Sequence, residues 1–102
     1  VLEKEAILTE KKIVERFLTM LAKNSSMVAY GKVQVEEALD LGAVDELLLS
    51  ESLDDAEIER LEQKAKNYGT TVQLISLETR EGEQLRDLGG YGAILRYSIG
   101  SS

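Results

Sequence analysis

The segment Val44–Ser50 reads VDELLLS, and its three consecutive leucines, Leu47 to Leu49, decide the fold class. Side chains alternate between the two faces of a strand, so an uninterrupted apolar run predicts a strand that is buried on both faces. Strands of this kind occur in sheets that have helices on both sides. The segment therefore predicts an α/β fold.

Three further strands are predicted by short apolar runs between turn-forming residues. They cover residues 27–30, 71–76 and 93–97. Together with 44–50 they predict a four-stranded sheet that is mostly parallel or mixed.

Four helices alternate with these strands. They are predicted by apolar side chains at helical spacing, and Thr9 and Thr79 are expected to cap the first and the fourth. In the second helix, Leu41 fits the spacing of the other apolar residues, and Gly42 is expected to end the helix in the left-handed conformation. The predicted helices cover residues 9–22, 33–41, 54 or 55 to 69, and 79–88. Short connections between alternating elements favour a three-layer α/β/α sandwich.

Length and composition fit one domain. The chain has 102 residues and starts at Val1 without a Met, so we expect residues 1–102 to form a single domain cut from a longer protein. No apolar run approaches the roughly 20 residues of a membrane span, and Cys is absent, which fits a cytoplasmic protein. Nineteen acidic residues outnumber 12 basic ones, so phosphate backbones are repelled on average.

The side chains that most catalytic sites need are missing. The chain has neither His nor Cys, which excludes an imidazole base, a thiol nucleophile and their metal sites. The glycine-rich stretch at residues 89–92 follows a predicted helix and precedes a strand, whereas a phosphate-binding loop has the opposite order. We therefore expect no catalytic residue, no cofactor and no metal.

Three stretches together carry a family resemblance. They are EKKIVERF at residues 10–17, the run from Tyr30-Gly31 to Ser50-Glu51, and EGEQL followed by LGGYGAILRY at residues 81–97. In order and spacing they resemble the last domain of archaeal and eukaryotic-type class 1 peptide chain release factors and of the related Pelota proteins. The resemblance covers about residues 10 to 97.

The resemblance implies a docking role in translation termination. In this family other domains read the stop codon and promote peptidyl-tRNA hydrolysis. The C-terminal domain recruits a translational GTPase, either an elongation factor 1α-type protein or a class 2 release factor. It also touches the ribosome near its stalk and the recycling ATPase. From charge and composition we expect a cytoplasmic monomer in which this domain contacts no membrane and does not bind nucleic acid directly.

The resemblance ties GTPase binding to the Ile-Leu-Arg-Tyr strand, which here is Ile94, Leu95, Arg96 and Tyr97. Strand alternation predicts Ile94 and Arg96 on one face and Leu95 and Tyr97 on the other, with at least one pair in the core. Arg96 is the better candidate for direct contact, because a guanidinium can pair with acids across an interface.

Other interpretations remain open at this point. Many release factors insert a small module, often with metal-binding cysteines, after the second strand, whereas here Ser50 to Leu53 lead directly to Asp54. That absence weakens the preference for a release factor over Pelota. A kink-turn RNA-binding module is suggested by the fold relationship and opposed by charge. A small methyltransferase or hydrolase is disfavoured by the missing His and Cys.

Overall fold

The computed structural model describes residues 2–97, with side chains for residues 10–24 and 26–97. A short 3-10 turn, Ser25–Met27, precedes the first strand. The helices are α1 (Leu2–Lys23), α2 (Lys32–Asp40), α3 (Asp55–Asn67) and α4 (Arg80–Asp87). The strands are β1 (Val28–Tyr30), β2 (Val44–Ser50), β3 (Thr71–Ile75) and β4 (Tyr91–Leu95).

The four strands form one mixed sheet in the order β1-β4-β2-β3. Strand β4 pairs antiparallel with both β1 and β2, while β2 pairs parallel with β3. The last strand of the described chain therefore lies inside the sheet, and β1 and β3 are its edges. The predicted α/β fold with a mixed four-stranded sheet is confirmed.

Helices cover both faces of the sheet and create two separate cores. Leu47 and Leu49 pack under α2 and α3, whereas Leu48 packs under α1 and α4, as the consecutive leucines predict. The α2/α3 core includes Val35, Ala38, Leu39, Val44, Ile58, Leu61, Ala65, Tyr91, Ala93 and Leu95. The α1/α4 core contains Ile13, Val14, Phe17, Val28, Ile75, Leu85 and Ile94.

A shift in the pairing of β2 with β4 changes which residues share a face. Val44 lies opposite Leu95 and Glu46 lies opposite Ile94, so Asp45 is an extra residue on β2. Such a bulge reverses the alternation at that point. It puts Val44 on the α2/α3 side with Leu47, and it leaves Glu46 on the α1 side.

Two predicted helix starts have different outcomes. The Thr79 hydroxyl accepts a 2.9 Å hydrogen bond from the Gly82 amide, so the predicted cap of α4 is confirmed. The cap predicted at Thr9 is wrong, because α1 already begins at Leu2 and Thr9 lies inside it.

The boundaries of two predicted strands also change. Met27 belongs to the 3-10 turn, so β1 starts at Val28. Strand β4 covers Tyr91–Leu95 in place of the predicted residues 93–97. Gly89 and Gly90 both have positive φ, and the Gly90 amide donates a hydrogen bond to the Leu85 carbonyl. The chain therefore turns into the sheet directly after α4.

Gly92 allows α1 to approach the sheet closely. A Cβ at this position would lie 3.1 Å from Phe17 Cζ and from Leu85 Cδ1, both in the α1/α4 core. Gly in a strand interior often marks such an approach.

We therefore expect Gly92→Val to destabilise the domain by about 1–3 kcal/mol, because the added methyl groups overpack this core. Urea unfolding followed by circular dichroism measures the change. Thr71→Val introduces the same side chain at an exposed position of β3 and should shift stability by less than about 0.5 kcal/mol. Equal effects of the two variants would contradict the close packing at Gly92.

Candidate docking surface

The four residues of the Ile-Leu-Arg-Tyr segment have two kinds of environment. Ile94 is buried in the α1/α4 core and Leu95 in the α2/α3 core. Arg96 and Tyr97 are exposed. The prediction that at least one alternate pair lies in the core is wrong. Each pair has one buried and one exposed residue, because the sheet is covered on both sides and β4 ends at Leu95.

Arg96 connects two turns at one end of the sheet. Its amide donates to the Ala43 carbonyl at 2.7 Å. Its guanidinium donates from Nε to the Val44 carbonyl at 3.1 Å, and from Nη2 to the carbonyls of Tyr68 at 3.2 Å and Gly69 at 3.1 Å. The carbonyls of Tyr68 and Gly69 directly follow the end of α3, where a positive charge is favourable. The Val44 carbonyl is at the start of β2 and also accepts a hydrogen bond from the Thr70 hydroxyl.

The remaining guanidinium nitrogen of Arg96, Nη1, makes no hydrogen bond within residues 10–97. The side chain is exposed, and a guanidinium carries five N–H donors in a fixed plane. Three bonds to carbonyls fix that plane, while Nη1 stays available for an acceptor outside the domain.

Three large side chains are exposed next to Arg96 in the chain or in the turns that follow α2 and α3. Leu41 is 64% exposed, Tyr68 is 42% exposed and Tyr97 is 50% exposed. The Tyr68 ring lies beside Gly42, where a Cβ would be 3.6 Å from Cδ1. We call Leu41, Tyr68, Arg96 and Tyr97 the Arg96 surface.

Two members of this surface, Leu41 and Tyr68, were not predicted from the sequence. Leu41 fits the helical spacing of buried residues, but it lies just past the end of α2 and its side chain is exposed. Tyr68 follows α3 in the same way. The glycines after them, Gly42 and Gly69, both have positive φ and mark these helix ends. A large apolar residue directly before a helix-ending glycine is the sequence pattern that could have indicated these exposed side chains.

A polar cluster connects α2, α3 and β4. Glu36 forms a bidentate pair with Arg60, with distances of 3.1 and 2.9 Å. Arg60 also donates twice to Glu57 at 3.0 Å, and the Tyr91 hydroxyl donates to Glu57 at 2.6 Å. Lys64 adds bridges to Glu36 and Asp40. The cluster therefore holds α2 against α3 and fixes the first residue of β4.

The pKa values in this cluster follow from its hydrogen bonds. Bonds from Arg60 and then from Tyr91 lower the pKa of Glu57 from an ordinary 4.5 to about 2. Burial, followed by the bond to Glu57, raises the pKa of Tyr91 to about 12. Near neutral pH the carboxylate is therefore charged and the phenol is protonated.

Because the pKa of Glu57 is lower in the folded than in the unfolded state, its ionisation stabilises the fold above about pH 4.5. This contribution is lost as the pH falls toward 2. We expect Glu57→Gln to weaken the dependence of the unfolding free energy on pH between about pH 5 and 2, as measured by urea unfolding.

Glu59→Gln is the matched control, because Glu59 is exposed on the same helix and makes no ion pair within residues 10–97. It should retain most of the acid sensitivity of the unchanged chain. The same loss of acid sensitivity in both variants would exclude a specific contribution from Glu57.

Among residues 2–97, no helix is long and apolar enough to cross a membrane. Within the same residues, no three acidic, His or Cys side chains are grouped as metal ligands.

The C-terminal motif and the fold agree with one protein family. Residues 7–99 match the family model described as eRF1 domain 3, which is more than nine tenths of the chain. The chain belongs to this family. The match includes α1 from residue 7 onward, the other three helices, all four strands and the whole Arg96 surface, so the resemblance seen in the sequence is confirmed.

Curated relatives come from both branches of the family. The chain is 42% identical over 94 residues to the Pelota homolog of Pyrococcus furiosus, covering 88% of this chain and 26% of that protein. It is 29% identical to peptide chain release factor subunit 1 of Thermococcus kodakarensis, covering 97% of this chain and 35% of that protein. The chain thus spans about a quarter to a third of the length of these relatives.

Solved structures share the fold. The C-terminal domain of the peptide chain release factor from Methanosarcina mazei superimposes with a TM-score of 0.92 at 26% identity, covering 97% of this chain and 88% of that one. Dom34 of S. cerevisiae, a translation termination-like factor interacting with Hbs1, has a TM-score of 0.82 at 27% identity, covering 91% and 28%. Archaeal Pelota in a model with the ribosome and ABCE1 has a TM-score of 0.71 at 36% identity, covering 94% and 27%.

Proposed function

We propose that this domain recruits a translational GTPase to a factor that acts in translation termination or ribosome rescue. The GTPase is an elongation factor 1α-type protein or a class 2 release factor. The observation that carries the proposal is the Arg96 surface. It contains the exposed half of the Ile-Leu-Arg-Tyr segment, to which the family resemblance assigns GTPase binding. Related Dom34 is described as interacting with Hbs1, which supports a protein partner for this domain.

The chemistry of the surface suits a protein partner. Tyr and Arg are the residues that most often dominate binding energy at protein interfaces. Tyr68 and Tyr97 offer partly exposed rings, and Leu41 adds aliphatic area. Arg96 is already held by three carbonyls, so little side-chain entropy is lost when Nη1 meets an acceptor of the partner. In this interface Ile94 and Leu95 act from the core, by fixing the position of Arg96.

Two parent proteins fit this role. A class 1 release factor is supported by the EGEQ motif at residues 81–84 and by the TM-score of 0.92 to the Methanosarcina mazei domain. Pelota is supported by the higher identity of 42%. The alignment with the Thermococcus kodakarensis release factor runs over 146 residues, more than the 102 of this chain, so that factor carries an insertion.

The remaining steps of termination belong, in this proposal, to other domains of a longer cytoplasmic protein. Stop-codon reading and peptidyl-tRNA hydrolysis are assigned to them, and recruitment alone is assigned to this domain, which acts as a monomer. Contact with the ribosome and with a recycling ATPase is also proposed, because Pelota is described in a ribosome-bound model with ABCE1.

A kink-turn RNA partner is disfavoured by the distribution of acids. Helices α3 and α4 begin at the same end of the sheet and carry acids in their first turns. Burial, together with repulsion from Glu51 and Glu78, raises the pKa of Glu10 near this end, although a backbone hydrogen bond from Ser76 opposes the shift. An RNA backbone would meet further negative charge there.

The GTPase proposal is tested by calorimetric titration of the domain with an archaeal elongation factor 1α-type GTPase. We expect Arg96→Ala and Tyr97→Ala each to weaken binding by about tenfold or more, as truncation of interface Arg and Tyr residues commonly does. Val33→Ala is the control, because Val33 is 69% exposed but lies in the first turn of α2, away from the Arg96 surface.

Arg96→Ala also removes hydrogen bonds within the domain, so its folding is checked by circular dichroism and urea unfolding. Tyr97→Ala removes no contact in either core and separates binding from stability. Unchanged affinity in folded Arg96→Ala and Tyr97→Ala would refute the proposed interface. No binding by the unchanged domain would refute recruitment of this GTPase.

The two parents are distinguished by the coding sequence upstream of Val1. A release factor should contain a Gly-Gly-Gln tripeptide in its middle domain, and Pelota should lack it. Sequencing the gene provides the measurement.

A further inference from the structure

The edge strand β3 presents unpaired peptide groups. Within residues 2–97 it pairs only with β2. The Ile75 carbonyl accepts a hydrogen bond from the Glu51 amide, which continues β2, so the peptide groups of Ile75 face β2. Because successive residues of a strand in a parallel pair alternate in direction, the amides and carbonyls of Val72 and Leu74 face outward. Such an edge can accept a further strand.

The two faces next to this edge differ in chemistry. Leu74 lies opposite Leu49, which belongs to the α2/α3 core, yet its own side chain is 41% exposed. Gln73 lies opposite Leu48 and faces α1. The α2/α3 side of this edge is therefore apolar, and the opposite side lies next to α1.

A cleft of about 260 Å³ lies between α1 and the sheet on that second side. It is lined by Lys12, Ile13, Arg16, Glu46 and Gln73. The cleft thus contains two cationic side chains, one carboxylate and one apolar side chain, that of Ile13. Arg16 is 3.4 Å from Glu46, and Lys12 makes no ion pair within residues 10–97. The cleft has local positive charge in a chain whose net charge is -7.

Strand β2 contributes a carboxylate to this cleft. Glu46 is two residues before Leu48, so it faces α1, and it binds Arg16, which holds the guanidinium over the sheet. Lys12 is one helical turn before Arg16, so both cations project from the same face of α1 toward the edge of the sheet.

We propose that β3 and this cleft form a second docking site, which binds an extended partner segment with alternating acidic and apolar residues. The segment pairs with the outward peptide groups of Val72 and Leu74. Its acidic side chains enter the cleft beside Lys12, and its apolar side chains cover Leu74. Main-chain bonds supply affinity, and the two faces supply specificity. The site shares no residue with the Arg96 surface, so both can be occupied together.

The probe is a peptide of about seven residues, the length of a strand, with alternating Val and Glu and blocked ends. Titration is followed by amide NMR spectra and hydrogen exchange of the labelled domain. We expect slower exchange at the amides of Val72 and Leu74. A peptide with alternating Val and Lys should not bind. A Val-Glu peptide carrying N-methyl groups on the residues that face β3 should also lose binding, since it cannot donate to the edge.

Lys12→Glu tests the charge of the cleft and should weaken binding of the Val-Glu peptide by about tenfold. Lys23→Glu makes the same charge change on the last turn of α1, outside the cleft, and should weaken it less than about twofold. Neither variant should alter GTPase binding at the Arg96 surface. Loss of peptide binding and loss of GTPase binding can therefore be measured separately, and each result tests only one of the two proposals.

Three results would overturn the second docking site. The first is no binding of the Val-Glu peptide at millimolar concentration. The second is equal binding of the Val-Lys peptide. The third is binding that leaves exchange at Val72 and Leu74 unchanged.

Discussion

The pairing of β4 with both β1 and β2 is the constraint on which the rest of this domain depends. β4 is the last strand of the described chain, yet it occupies an interior position in the sheet. All five of its residues are buried, and they contribute to both cores. Until β4 is in place, β1 has no partner strand and neither core is closed. Gly92 is needed for this position because Phe17 of α1 packs directly on it.

The same strand determines where the Arg96 surface lies. Leu95 is the last paired residue, so the next residue leaves the sheet beside the turns that follow α2 and α3. The guanidinium of Arg96 donates to the carbonyls of Tyr68 and Gly69, which follow the end of α3, and to the Val44 carbonyl at the start of β2. A residue that joins two turns of the fold is thereby also exposed at the surface. In the proposed function, loss of this arginine affects stability and recognition together.

Charge is distributed unevenly over the domain. Acids predominate overall and gather at the starts of α3 and α4. Around Glu36, Glu57 and Arg60 they are neutralised by partners and join α2 to α3. The cleft beside β3 has the opposite sign. The surface therefore has regions of opposite charge, and a charged partner is expected to prefer one of them.

The sequence by itself determined the fold class, strand β2 and the family. These could be predicted because they depend on local periodicity, on helix-ending glycines and on motifs that are contiguous in the chain. The consecutive leucines of β2 required a sheet covered on both faces, and the GGYGAILRY stretch marked the family. The Thr79 cap followed from a side chain and an amide only three residues apart.

Tertiary structure alone decided the limits of β4, the bulge at Asp45 and the exposure of Leu41 and Tyr68. Each depends on residues distant in sequence. β4 ends where its partner β2 begins, and Leu41 is exposed because α2 ends before the residue can face the core. Strand alternation does not extend to Arg96 and Tyr97, because both follow the last paired residue of β4. Local sequence specifies the elements, whereas the order of pairing fixes which side chains reach the surface.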